Sequence, residues 1–268
     1  MNYDSLNRNL TASDRERVFH LWDELAAFPS AEIDRAWRHL AETIAGWIGA
    51  DTCFWVGTVR LLDGDAAEQD AMHGWRVKVI TFLHPPTEEE QLAAQRAVAT
   101  RPPDLGMATI AAIRGSGHFR VHRLHDGFVD LEAFRKTDYF QSHFVRFGVD
   151  DQLWVASPIS RETEAYFIFN RRGTARFTEA DAALAGFALR GLTWFHQQMF
   201  HSHGLLVAQD PLTPTQRDVL QLLLSDKTEK EIAAELGQSF HTTHTHVKEI
   251  FRKYNVKSRA GLMAVWLG

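Results

Sequence analysis

Three histidines lie within six residues near the carboxyl end of the chain, in the stretch SFHTTHTHVKEIFRK from Ser239 to Lys253. Neutral imidazoles are common zinc ligands, so a cluster of this kind suggests a metal site. Imidazoles beside basic residues on a helix also suit contact with DNA base edges. The choice between these chemistries depends on which of His241, His244 and His246 share a helical face.

Helical spacing separates the three histidines. A turn of about 100° per residue places five side chains within one arc of about 100°. This recognition face consists of His241, His244, Thr245, Lys248 and Arg252. His246 lies off it, at the helix flank, and Thr243, Val247, Ile250 and Tyr254 occupy the opposite side. An exposed histidine pair without a carboxylate on its own face is a poor zinc site, so no metal is predicted.

The elements around this stretch predict four short helices. Thr213 with Gln216, and Thr228 with Glu231, have the spacing of capping boxes that begin two helices. Gly237 suits the residue just past the end of the second helix. The next helix carries the recognition face, and the pair joined by this tight turn is typical of a helix-turn-helix.

The same segment resembles the LuxR/FixJ-type DNA-binding domain over about 55 residues without a gap. The matching residues are Leu212-Thr213-Pro214, Val219-Leu220, Lys230-Glu231-Ile232-Ala233, Thr242, His246-Val247, Ile250, Arg252-Lys253 and Val256-Lys257-Ser258-Arg259. The resemblance implies a four-helix domain whose third helix enters the major groove. This sequence departs from the family pattern at three places. Thr243 stands where Val is usual, His244 stands where Lys is frequent, and Ser225-Asp226-Lys227 lacks the usual Gly.

Two groups of DNA-contacting residues are predicted. The base-reading candidates are His241, His244, Thr245 and Lys248; the family position implies the last three, and helical spacing adds His241. The phosphate-contacting candidates are Thr242, Arg252, Lys253, Lys257, Ser258 and Arg259. The basic residues support this interpretation, since residues 212–268 hold eight basic and six acidic residues, whereas the whole chain has a net charge of −5.

The first part of the chain predicts an α+β fold. Helices are expected at 14–27, 30–48 and 87–99, and strands at 52–62, 75–83, 152–159 and 165–170, with residues 104–150 left unassigned. A long helix is expected from Thr178 to about His203, and its terminal histidines, if cationic, would complement the helix dipole. This order resembles a GAF/PAS-like sensor, an antiparallel sheet with flanking helices. An autoinducer-binding domain of a quorum-sensing regulator is a related alternative.

The aromatic residues of the first part could line a ligand pocket, or they could simply fill the core. The pocket candidates are Trp55, Trp75, His84, Tyr139 and Trp154. We expect a GAF/PAS-like sensor or regulatory domain at 1–204, a linker at 205–211 and an all-α, four-helix LuxR-type helix-turn-helix domain at 212–268.

Other function classes have little support in the sequence. No Ser-His-Asp spacing, phosphate-binding glycine loop or HExxH motif points to an enzyme, and no cofactor is expected. Cys53 is the single cysteine, the N-terminal stretch is polar, and no apolar run is long enough to span a membrane, which fits the cytoplasm.

We therefore expect a transcriptional regulator that binds double-stranded DNA. It would act as a homodimer through helix 178–203, the last helix or both, with an unknown small molecule as a possible signal. The alternative is a ligand- or protein-binding module whose helix-turn-helix is degenerate or masked.

Overall fold

A computed structural model describes residues 9–99, 106–206 and 211–267, which divide into two compact units. The sheet unit comprises the described residues up to Asp23 and those from Arg38 to Thr193. The helical unit comprises Glu24–Trp37 and the described residues from Trp194 onward. None of the helices in these described ranges is long and apolar enough to cross a membrane.

The sheet unit is built on five antiparallel strands. They are β1 (Thr52–Arg60), β2 (Trp75–Phe82), β3 (Arg120–Arg123), β4 (Asp151–Pro158) and β5 (Thr163–Arg171), in the spatial order β2-β1-β5-β4-β3. The four predicted strands are confirmed. The additional strand β3 lies in the region 104–150, where its four residues are too few to show a period of two.

Eight α-helices precede, separate or follow these strands in the described part of the chain. They are α1 (Ala12–Ala26), α2 (Ile33–Ile48), α3 (Gly64–Glu68), α4 (Glu88–Ala97), α5 (Met107–Arg114), α6 (Leu131–Arg135), α7 (Asp138–Phe140) and α8 (Glu179–Arg190). A 3-10 turn, Ser30–Glu32, precedes α2, and a π-helical turn, Gln141–Val145, follows α7. The predicted helices near 14–27, 30–48 and 87–99 are confirmed.

A buried ion pair crosses the sheet between β3 and β5. The Arg120 guanidinium donates to both carboxylate oxygens of Glu164, at 2.8 and 2.7 Å, and to the hydroxyl of Tyr166 at 2.8 Å. Arg120 and Glu164 have only 7% and 0% of their side chains exposed. The same guanidinium also donates to the Ala112 and His118 carbonyls, so its charge and donors are satisfied inside the unit.

The predicted continuous helix from Thr178 to His203 is wrong. Helix α8 ends at Arg190, and a separate helix α9 spans Thr193–Ser202. The Trp22 indole donates at 2.8 Å to the Ala188 carbonyl, which would accept from the Leu192 N–H in an unbroken helix. The Leu192 N–H bonds instead to the Leu189 carbonyl, and Gly191, a poor helix former, lies where a Cβ would be 2.7 Å from the Trp22 ring.

Four further helices complete the helical unit: α10 (Pro214–Leu223), α11 (Glu229–Glu235), α12 (Phe240–Lys253) and α13 (Arg259–Leu267). Both predicted capping boxes begin their helices as expected, Thr213 with Gln216 and Thr228 with Glu231. One apolar core joins the four helices, with Leu220, Ile232 and Ile250 fully buried.

The helical unit also includes two segments outside these four helices. The Asp34 carboxylate accepts from Arg217 and Gln221 of α10, each at 2.6 Å. The Tyr254 hydroxyl donates to the His201 carbonyl, and the Leu212 N–H donates to that of His203. Residues 24–37 and α9 thus pack with the helix-turn-helix. Most of the predicted linker 205–211 lies outside the described residues.

Three histidines lie on α9 or directly after it: His196 and His203 are buried, and His201 is half-buried. Burial lowers the pKa of His196 to about 3 and also lowers the pKa of His201. Burial, with a smaller contribution from the positive charge of Arg217, holds the pKa of His203 well below its ordinary value. These imidazoles are uncharged at neutral pH, so the expected complement of cationic histidines to the helix dipole is wrong.

The buried histidines predict acid-sensitive stability. An unfolded chain binds a proton to each histidine near pH 6.5, whereas the folded protein does so only at lower pH. The contribution of the uncharged histidines to the free energy of unfolding is therefore complete above about pH 6.5. It is lost as the pH falls toward the pKa values of the folded protein. For His196 alone, the free energy of unfolding is expected to be about 2 kcal/mol lower at pH 5 than at pH 7.5. Urea unfolding at pH 7.5 and pH 5 measures it, and His196→Gln should show a smaller loss. Equal pH dependence in both proteins would contradict the assignment.

Candidate nucleic-acid interface and ligand cavity

Helix α12 has one buried side and one exposed side. Thr243, Val247 and Ile250 are buried against the other helices of the unit. Four members of the recognition face, His241, Thr245, Lys248 and Arg252, are exposed, and His244 is half-buried. Ser239 caps the helix by accepting from the Thr242 N–H at 3.0 Å. The predicted apolar back and polar front are present, and a helix of this type fits a major groove about 12 Å wide.

His244 is held by a residue that the sequence analysis did not identify. Its Nδ1 lies 2.8 Å from Glu229 Oε2, at the start of α11, and its ring stacks on Phe240 with centroids 5.8 Å apart. Glu229 is 15 residues away and on another helix. No spacing rule within α12 reveals such a partner, because Glu229 is the first residue of the other helix, directly after its cap Thr228.

The phosphate candidates divide into exposed and engaged side chains. Thr242, Arg252, Lys257 and Ser258 are exposed. Lys253 donates to the Pro211 carbonyl at 3.0 Å. The Arg259 guanidinium donates to the carbonyls of Lys227 and Ser225, which fixes the loop before α11. The structure therefore gives Lys253 and Arg259 roles within the unit. The exposed hydroxyls of Thr242 and Ser258 also bond locally, to Ser239 Oγ at 2.8 Å and from the Gly261 N–H at 3.2 Å.

His246 lies at the helix flank, apart from the recognition face. It is half-buried, and its Nδ1 is 3.9 Å from a carboxylate oxygen of Glu249. Across residues 9–99, 106–206 and 211–267, no three His, Cys, Asp or Glu side chains are grouped closely enough to hold a metal ion.

A cavity of about 390 Å³ lies on one face of the sheet. Three of the five pocket candidates, Trp75, Tyr139 and Trp154, line it. Trp55 is not on its wall, because neighbouring strand residues alternate between faces and Trp55 belongs to the side opposite Phe54 and Val56. His84 is exposed just after β2 and does not line the cavity either.

The strand register arranges the cavity floor in rows. Thr52, Asn170 and Gln152 pair across β1, β5 and β4 and form a polar row. The next row on the same face is apolar and consists of Phe82, Phe54, Ile168 and Trp154. In the polar row Gln152 donates to Asn170 at 2.6 Å, with both side chains buried.

The charged residues of the wall lie at its accessible part. Glu89, Arg96, Arg146 and Arg172 line the cavity and are exposed. Glu89 and Arg146 form an ion pair at 2.6 Å. Glu90 also lines the cavity and is half-buried, and its carboxylate accepts from the Thr87 N–H at the start of α4. The sheet floor is apolar apart from the uncharged amides and hydroxyl of its polar row.

The helical unit contains a helix-turn-helix with an exposed polar face, the architecture of a DNA-binding domain. Residues 210–266 match the family "Bacterial regulatory proteins, luxR family", which confirms the predicted LuxR-type helix-turn-helix in this part of the chain.

Two curated proteins share sequence with the chain. The transcriptional regulatory protein MctR of Rhizobium johnstonii is 29% identical over 136 residues, which cover 50% of this chain and 61% of MctR. The spore germination protein GerE of Bacillus subtilis is 45% identical over 49 residues, which cover 18% of this chain and 66% of GerE. The chain thus spans a little under two thirds of the length of these relatives.

A solved structure, SdiA in complex with octanoyl-rac-glycerol, aligns with 95% of this chain and 93% of its own. The sequence identity is 12% and the TM-score 0.46, a likeness too distant to identify the N-terminal fold. The antiparallel sheet with helices is as expected, and its GAF/PAS-like identity stays a prediction.

Proposed function

We propose that the chain is a sequence-specific transcriptional regulator that binds double-stranded DNA through α12. The observation that carries this proposal is the recognition face, exposed on a helix whose other side is packed into a LuxR-type domain. Lys248 and His244 would approach base edges, where a good pair of contacts discriminates bases by about 1–3 kcal/mol. Arg252 and Lys257 would contact phosphates, which orient the domain without selecting sequence.

The sheet unit supports a role as a sensor of a small molecule. A cavity of about 390 Å³ is of the size that binds small ligands. Its uncharged sheet floor favours an apolar body, and the Gln152–Asn170 bond uses one donor and one acceptor of two amides. Their remaining groups suit a ligand head that both donates and accepts hydrogen bonds. The relation of this unit to GAF/PAS-like sensors or to autoinducer receptors belongs to the same proposal.

A homodimer would match a two-fold operator. Two exposed apolar sites support it. Phe19 is 45% exposed and lies with Trp22 and Phe187 in an aromatic group on α1 and α8. Met263 on α13 is 41% exposed.

Selection of genomic DNA fragments by the full-length protein tests the DNA-binding proposal. A regulator is expected to enrich a defined sequence with two related half-sites. If no fragment is retained even at low salt, where phosphate contacts are strongest, the proposal fails and a module with a degenerate or masked helix-turn-helix is favoured.

His244→Lys is expected to alter the selected bases without abolishing binding. A lysine ammonium only donates hydrogen bonds, so it favours guanine O6 and N7. The measurement is site selection with both proteins under one salt condition. An identical consensus for both would remove His244 from the base contacts.

Native mass spectrometry of the purified protein tests the sensor proposal and reports the oligomeric state in the same spectrum. A co-purified small molecule should be present in the wild type and diminished in Trp154→Ala, which shortens an apolar wall of the cavity. The matched variant Trp194→Ala changes an exposed tryptophan outside the cavity and should retain the molecule. Equal retention by both variants would contradict binding in this cavity.

A further inference from the structure

We infer that Glu229 is a specificity-determining positioning residue, which fixes the tautomer of His244 and thereby selects the base edges that this imidazole contacts. The inference rests on the proposed DNA-binding function and assigns the control of one base position to a residue outside the recognition helix.

The geometry places the Glu229 carboxylate against the imidazole of His244. It is the first residue of α11, directly after the cap Thr228, and its Oε2 lies 2.8 Å from His244 Nδ1. The side chains of Glu229 and His244 are 31% and 40% exposed, so the contact is partly sheltered. Phe240 stacks on the imidazole at an interplanar angle of 10°, which restrains the ring plane. The imidazole of His244 is therefore held by Glu229 of α11 at a ring nitrogen and by Phe240 of α12 on the ring plane.

The bond determines where the imidazole carries its hydrogen. An ionised carboxylate accepts hydrogen bonds and does not donate them, so Nδ1–H is the donor to Glu229. In the uncharged ring the lone pair is then on Nε2, the other ring nitrogen. Nε2 accepts a hydrogen bond and seeks a donor.

The major groove offers two donors on its base edges, adenine N6 and cytosine N4. An Nε2 acceptor therefore favours adenine or cytosine at the position that His244 contacts. Without Glu229 either tautomer is available, and a ring with hydrogen on Nε2 contacts guanine or thymine acceptors equally well. Glu229 thus converts an ambiguous side chain into one with a defined preference.

Glu229 also lies in the first turn of a helix, where a carboxylate stabilises the helix dipole. A purely structural role would change stability without changing the tautomer or the base preference. The experiment therefore compares Glu229→Gln, which keeps the size and can either accept from or donate to Nδ1, with Glu235→Gln. Glu235 is on the same helix and pairs with Lys227 at 2.7 Å, so this control removes the same charge away from His244.

Two readouts are made on the full-length proteins at pH 8, where an ordinary imidazole is uncharged. The ¹⁵N chemical shifts of His244 report its tautomer, and site selection reports the base at its position. The wild type and Glu235→Gln should show hydrogen on Nδ1 and a preference for adenine or cytosine. Glu229→Gln should show mixed tautomers and a loss of base discrimination on the order of 10-fold at that position alone. In a His244→Ala background, Glu229→Gln should have no effect on base preference.

The inference is overturned if Glu229→Gln retains both the wild-type tautomer and the wild-type consensus, or if it relaxes the consensus equally in the His244→Ala background. A wild-type protein that selects no DNA sequence overturns the proposed function instead. In that case the chemical shifts still decide whether Glu229 sets the tautomer, so the two failures are distinguishable.

Discussion

Arg120→Met is expected to destabilise the sheet unit by about 3–5 kcal/mol, the usual effect of removing one partner from a buried ion pair. Methionine preserves much of the side-chain volume but leaves the Glu164 carboxylate, which has 0% exposure, without its cation. The carbonyls of Ala112 and His118 also lose the guanidinium as a donor. Chemical denaturation followed by tryptophan fluorescence measures the loss.

Arg123→Met is the matched control for this substitution. Arg123 is also on β3, but its ion pair with Asp126 leaves both side chains about one fifth exposed, at 21% and 20%. Its removal should cost about 1 kcal/mol or less. Similar losses for the two variants would show that burial does not distinguish the two ion pairs.

Lys248→Ala is expected to weaken binding to the selected operator by about 5- to 150-fold, which corresponds to 1–3 kcal/mol for a base contact. Its side chain is exposed on the recognition face, so the melting temperature should remain that of the wild type. Fluorescence anisotropy with a labelled operator, at one stated salt concentration, measures the affinity.

Lys230→Ala is the control for the loss of one positive charge. Lys230 is exposed on α11 and does not belong to the recognition face. Its replacement should lower operator affinity much less than that of Lys248. If operator affinity is unchanged in Lys248→Ala, Lys248 does not contact the bases.

The sequence predicts those features that local spacing determines. The capping boxes at Thr213 and Thr228, and the buried back of α12, follow from contacts three or four residues apart. The break after α8 does not follow from local spacing, because it depends on the distant Trp22 indole, which donates a hydrogen bond to the Ala188 carbonyl. Gly191 alone is a weak signal, since an isolated glycine is tolerated within many helices.

The candidate site divides in the same way. Helical periodicity places Lys248, Thr245 and Arg252 on one face without tertiary information. The bond between Glu229 and His244 joins two helices, and its detection requires their packing. The cavity floor likewise depends on the register of β1, β5 and β4, which places Thr52, Asn170 and Gln152 in one row although the sequence separates them widely.

The contact between Asp34 and Arg217 has a consequence for the order in which the protein is made. These residues are 183 positions apart, so a ribosome finishes most of the chain before Asp34 meets its partner. Loop closure over that distance is entropically costly and slow relative to local helix formation. Residues 24–37 therefore have no α10 to pack against during most of translation. A chain truncated before α10 lacks that packing partner permanently. Such incomplete products should be more readily cleaved by proteases near Asp34 than the finished protein.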